Sequence, residues 1–226
     1  MISKISSTLR NVGYAALVGL AFTASSTQAA TVTTNEAGLD GVFSQLSFGN
    51  STIDVRFNAT QTIYNANLLN IDTAAKSAAL FGMANSAGPA IDMFFVDTID
   101  YCSGYNVNIV GCGFVGAAGL MIESAYAAGA FGIELLAHEL GHNLGLGHGG
   151  CGLMNSFINN NTCLDASEVS TILNSSLVQS DVNGLYIEIN AWLVSDVAQV
   201  PLPAAGLLLL GGLGALGATR RRRKVA

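Results

Sequence analysis

Basic side chains are almost missing from the body of this chain. Of nine lysines and arginines, Lys4 and Arg10 lie near the N-terminus and five form the run Arg220 to Lys224. Residues 31–197 keep only Arg56 and Lys76 against all fifteen acidic residues, a balance near −13. That surface rules against nucleic acid as a partner. Cysteine is sparse too: Cys102, Cys112, Cys151 and Cys163, none with C-x-x-C spacing, which speaks against a second metal site built from thiolates. No internal repeat and no low-complexity tract interrupts the 226 residues, a length that allows one domain plus processing segments. Histidine is rarer still, with three in the whole chain.

All three lie in one stretch, His138-Glu139-Leu140-Gly141-His142-Asn143-Leu144-Gly145-Leu146-Gly147-His148. At 3.6 residues per turn, His138 and His142 project from one helix face, so both imidazoles can reach one ion at about 2.0–2.1 Å. Glu139, roughly 100° further round, flanks the metal rather than binding it. Gly145 lets the chain leave the helix sharply at positive φ, which brings His148 back as third ligand. Three protein ligands leave a fourth position to water, the open arrangement of a catalytic zinc site. A carboxylate beside it can take a proton from that water and return it to a leaving amine, so the pattern points to amide hydrolysis.

The eleven residues resemble the signature of the metzincin zinc endopeptidases, which adds a methionine turn beneath the metal. Leu153-Met154-Asn155 is similar to that turn, with Met154 under the zinc. No Tyr follows Met154 closely, so the resemblance does not extend to a tyrosine ligand, and Gly149 after the third His points to no particular subfamily. The resemblance implies a zincin-like α/β (α+β) fold: a mixed twisted sheet packed on the active-site helix, and a small C-terminal subdomain with one helix. It also implies a protein or peptide substrate, gripped along an antiparallel edge strand. Gly119 to Ser124, just before the helix, is the expected edge, with a buried inner strand as the alternative. The specificity pocket is expected after Met154, including Phe157.

The two ends of the chain read as address labels. Lys4 and Arg10, an apolar run from Val12 to Ala24, polar Ser25 to Gln28 and small Ala29-Ala30 describe a secretory signal peptide over residues 1–30, cut by signal peptidase after Ala29 or Ala30. As a transmembrane anchor the run is short. At the other end, Leu202 to Thr219 is uncharged and just long enough to span a bilayer, and the basic cluster after it should stay cytoplasmic. Plainly read, residues 198–226 are an anchor. Val200-Pro201-Leu202-Pro203-Ala204-Ala205, the Gly/Leu-rich run and the terminal arginines also resemble the PEP-CTERM sorting signals of Gram-negative bacteria. That resemblance implies export across the inner membrane, transient residence there through the C-terminal helix, processing by an exosortase, and a cell-surface or extracellular destination.

Between the labels, residues 31–197 form the expected catalytic domain. The four cysteines allow three pairings in an exported protein. Cys102–Cys112, closing a loop before the fourth strand, and Cys151–Cys163, bracketing Met154, are the expected ones. Periodicity predicts a helix from Glu36 to about Leu46 and a strand within Ser51 to Ala59. A helix capped by Asp72 runs from Ala74 to about Asn85, and a buried strand from Ile91 to Ile99. A short strand at Val107 to Val110 precedes a catalytic helix over Gly129 to Leu144, with Phe131, Leu135 and Leu136 behind the ligands. Asp165 and Glu168 have capping-box spacing for a helix reaching about Leu177. Asp181-Val182-Asn183-Gly184 hints at a Ca2+ loop, though a simple turn fits better because the oxygen ligands fall short of six. Tyr186 to Val194 is a final strand or a linker. The function expected is an exported zinc endopeptidase. Its alternative is a non-catalytic, zinc-stabilised surface or matrix protein.

Overall fold

The buried run at Ile91 sets the architecture. In the computed structural model, which describes residues 31–83 and 88–196, all six residues of β4 (Ile91–Val96) are buried. Alternate side chains enter two different cores: Ile91, Met93 and Phe95 join one, Phe94 and Val96 the other. A strand covered on both faces needs no polar alternation, which is why it reads as a continuous apolar run. Beyond it the backbone breaks at Asp97, where Leu69 O accepts from the amides of Asp97 and Thr98. The expected strand through Ile99 is therefore two, and Thr98–Tyr101 (β5) joins a second sheet with Asn70–Ile71 (β3) and Tyr105–Ile109 (β6).

The main sheet runs in the order β1 (Ile53–Phe57), β10 (Gly184–Ser195), β4, β8 (Gly119–Glu123), β7 (Gly111–Gly113). The first four are mutually parallel; β7 is antiparallel to β8. Gly119–Glu123 is thus an inner strand, and the edge falls to β7, correcting the expectation for 119–124. The final segment is a strand, not a linker. Twelve residues of β10 lie at the centre, flanked on one side by β1 and β2 (Gln61–Tyr64) and on the other by β9 (Gln179–Asp181) and β4. Asp181 to Gly184 makes the β9–β10 hairpin turn, with Asn183 N donating to Asp181 Oδ1 and Gly184 at φ 132°; Asp181 Oδ2 accepts from Arg56. The calcium reading gains no support: among the described residues the only candidate metal cluster is the three histidines.

One face of the sheet packs on α1 (Glu36–Val42), α4 (Gly132–Asn143) and α5 (Ala166–Leu173), the other on α2 (Ala74–Phe81) and the second sheet. Helix α1 stops four residues early; Leu46 opens a separate 3-10 turn and is fully exposed. The cap of α2 is Thr73, whose side chain accepts from Lys76 N, while Asp72 pairs with Lys76 Nζ at 2.9 Å. The helix ends at Phe81 with Gly82 as its C-cap, short of the expected end at Asn85, which itself lies outside the described residues. Helix α5 opens on the reciprocal Asp165–Glu168 capping box and ends at Leu173. Both disulfides join the expected partners, Cys102–Cys112 and Cys151–Cys163. No helix among the described residues is long and apolar enough to cross a membrane; the signal-like N-terminus and the sorting-like tail lie outside them.

Candidate metal centre

Helix α4 carries the first two ligands and is shorter than its sequence pattern. A separate turn, α3 (Ser124–Ala127), precedes it, and Phe131 sits at its N-cap, 47% exposed, rather than behind the ligands. Leu135, Leu136 and Leu140 are buried and fasten the helix to the core. At its far end Gly145 adopts φ 104°, and Leu146 N and Gly145 N close back on Gly141 O and His142 O. That reversal turns His148 inward. His142 Nε2 and His148 Nε2 lie 3.2 Å apart, and the ligand atoms of all three histidines fall within 4.8 Å of one another.

The rings are oriented from behind. His138 Nδ1 lies 2.7 Å from Leu153 O and His142 Nδ1 lies 2.8 Å from Leu146 O. A carbonyl only accepts, so each Nδ1 carries the proton and each Nε2 presents a lone pair. Two ligand nitrogens on a tetrahedral zinc at about 2.0–2.1 Å stand roughly 3.3 Å apart, close to the His142–His148 spacing. Burial depresses the basicity of His138 to about 4 and that of His142 below its ordinary value, against the partial compensation of the two carbonyls. Neutral imidazole is the ligating form, so the residues present fit a zinc ion.

Met154 closes the floor. It is fully buried, and a Cβ placed on Gly141 would come within 2.6 Å of its sulfur. Its carbonyl accepts from Gly149 N, which ties the third ligand's loop to the turn, and Leu153 N donates to Cys163 O beside the second disulfide. Two buried carboxylates hold the same loop, Glu168, expected only as part of a helix cap, and Glu134, which the spacing arguments passed over. Glu134, one turn before His138, accepts from the amides of Asn159 and Asn160, and Glu168 accepts from those of Cys151 and Asp165. The only signal for Glu134 in sequence was position: it shares the buried face of α4 with the ligands. A cavity of about 520 Å3 opens at His148, lined also by residues 149–152 and by Asn155, Ser156, Asn159 and Asn161. Phe157, 78% exposed, is not in its wall.

Glu139 leaves the ligand set to the histidines and turns toward β7. It is 5% exposed, and burial pushes its carboxyl up to about 8, opposed by the Gly113 amide. Asn143 anchors the neighbouring loop, donating through Nδ2 to Phe114 O and Gly119 O.

The triad and the buried methionine fit the metzincin zinc-binding motif. No curated protein matches the chain. The family model described as metallo-peptidase family M12B, reprolysin-like, matches residues 12–196. Because that match takes in most of the sequence and includes every residue of the metal centre, the chain belongs to the reprolysin-like M12B metallopeptidases.

Proposed function

We propose that the chain is an exported zinc-dependent endopeptidase in which Glu139 serves as general base and then general acid. The observation that carries this reading is the convergence of three imidazoles on one point, two of them oriented by backbone carbonyls, with a carboxylate on the adjoining helix position. A zinc ion held by His138, His142 and His148 would polarise a peptide carbonyl and acidify a water molecule beside it. Glu139 then accepts a proton from the attacking water and delivers it to the departing amine. Burial, which raises the carboxyl's affinity for a proton, suits the first of these steps. Met154, packed against Gly141, supports the site without reacting. Strand β7 ends the sheet, so an extended peptide can add to it as a further strand and present its carbonyl to the centre.

Disulfides persist in oxidising compartments, which supports export, as do the signal-like N-terminus and the sorting-like tail that signal peptidase and an exosortase would process. Surface attachment or release into the surroundings follows that processing. Glu139→Ala should keep one zinc per chain and lose peptide cleavage by several orders of magnitude. Undiminished, chelator-sensitive cleavage by that variant would remove Glu139 from the mechanism. The near-complete burial of Glu139 also suits a non-catalytic, zinc-stabilised surface protein. Incubating the wild-type chain with a mixed peptide library, with and without a chelator, separates the two.

A further inference from the structure

Helix α4 and the edge strand meet at an unusually close contact, and glycine is the reason. Strand β7 reads Gly-Cys-Gly, so one face of the strand has no side chains and the other carries Cys112. The bare face lies on Glu139. A Cβ on Gly111 would stand 2.6 Å from Glu139 Oε1, and one on Gly113 would stand 2.6 Å from the Glu139 carbonyl oxygen. The Gly113 amide is also the hydrogen-bond donor that acts on the carboxyl. Cys112 points into the opposite core, 2% exposed beside Met121, and is bridged to Cys102 at the tip of the β5–β6 hairpin. Three residues paired with β8 alone make few ladder bonds, so the bridge supplies a second fixed point for a strand that ends the sheet.

We propose that Gly111 and Gly113, held in register by the Cys102–Cys112 disulfide, are positioning residues that set the Glu139 carboxyl against the metal centre. This rests on the endopeptidase reading above. The two disulfides then divide the labour: Cys151–Cys163 holds the loop that orients the ligands, and Cys102–Cys112 holds the strand that orients the base. A carboxyl displaced by about 1 Å costs roughly 10²-fold in turnover. Losing the Cys102–Cys112 bridge therefore costs turnover and spares the metal.

The test uses the full chain, with kcat, KM and zinc content measured for Gly111→Ala and for the double variant Cys102→Ala/Cys112→Ala. Gly111→Ala should bind one zinc per chain, with kcat down about 10²-fold and KM within a few-fold of wild type. The double variant should lose kcat in the same sense with zinc retained. Glu139→Asp, combined with Gly111→Ala, should lose less than the product of the two single losses, because the shorter side chain vacates the space the methyl group takes. Hydrogen exchange at the Gly113 amide gives a readout without turnover: it should accelerate in metal-free Glu139→Ala and in the disulfide variant. Wild-type kcat in Gly111→Ala, or zinc lost in step with activity, overturns the assignment and leaves the endopeptidase reading intact. Absence of chelator-sensitive cleavage by the wild-type chain sinks that reading and this inference with it.

Discussion

Gly141 is the residue where the metal centre has no slack. It lies between the two helical ligands, and a methyl group there would press within 2.6 Å of the Met154 sulfur. Gly141→Ala should cost about 1–3 kcal/mol through overpacking, while Met154→Ala leaves a cavity that costs about 2–5 kcal/mol. Each change makes room for the other, so the double variant should be less destabilised than the sum, as denaturant titration of all four proteins would report. Strict additivity would mean that the two side chains do not share the space. Titration argues at the same scale, in the metal-free protein. His138, held near 4 by burial against an ordinary 6.5, refuses a proton that the unfolded chain accepts, so stability present above 6.5 drains away as pH falls toward 4. Glu139 has the opposite sign: its raised pKa gives stability that is present below 4.5 and lost as pH rises through that value toward 8. Glu139→Gln should accordingly raise the metal-free melting temperature at pH 8 and change it little at pH 4.5, by scanning calorimetry. An equal change at both would show that the carboxyl is not desolvated. The ligands were legible because their spacing is local, one helical turn and one glycine reversal. Glu134 was not, since its partners are backbone amides 25 and 26 residues away.

At the scale of elements, α4 lies between two structures that disulfides brace independently. Besides the bond that Leu153 O accepts from His138, the loop from 149 to 164 is fastened by Cys151–Cys163, the Glu134 carboxylate, the Glu168 carboxylate, and Gln45, which donates to Thr162 O and accepts from Leu164 N. Removing the disulfide with Cys151→Ala/Cys163→Ala should lower stability by about 2–4 kcal/mol. It should also weaken zinc binding about 10–100-fold, because Leu153 O would hold His138 less firmly. Competition against a chromophoric chelator measures the second effect; unchanged affinity would assign the hold to the carboxylates instead. Sequence pattern located the strands with a hydrophobic payload and misplaced the edge for a physical reason. Gly119 to Glu123 has the apolar run, but its partners on both sides make it internal. The true edge, Gly111 to Gly113, has two residues with no side chain and so no periodicity to detect. The pairing of Cys102 with Cys112 was the available clue that this stretch is ordered.

For the whole molecule, the consequential element is the last strand described. Tyr186 to Val194 read as a terminal strand or a linker because its pattern mixes large apolar residues on both faces, with Ile187, Ile189 and Ala191 in one core and Val194 in the other. The structure explains the mixture: β10 is central, and both β1 and β2 pair with it. Asp92, wholly buried in β4, accepts from Asn190 and Trp192 of β10, a polar clasp that a misregistered β10 would leave incomplete. Long-range parallel pairing of this kind must wait for almost the entire domain to be made. A chain ending after Asp196 should therefore fold, bind zinc and melt like the full-length protein in detergent-free buffer. A chain ending after Leu177, with the whole metal-binding segment still present, should neither show a cooperative melt nor hold zinc tightly, since β1 and β4 would have no strand between them. Circular dichroism and zinc titration of the two truncations decide the matter, and a folded, zinc-binding protein without β10 would show that the centre needs only α4, the loop and their disulfide.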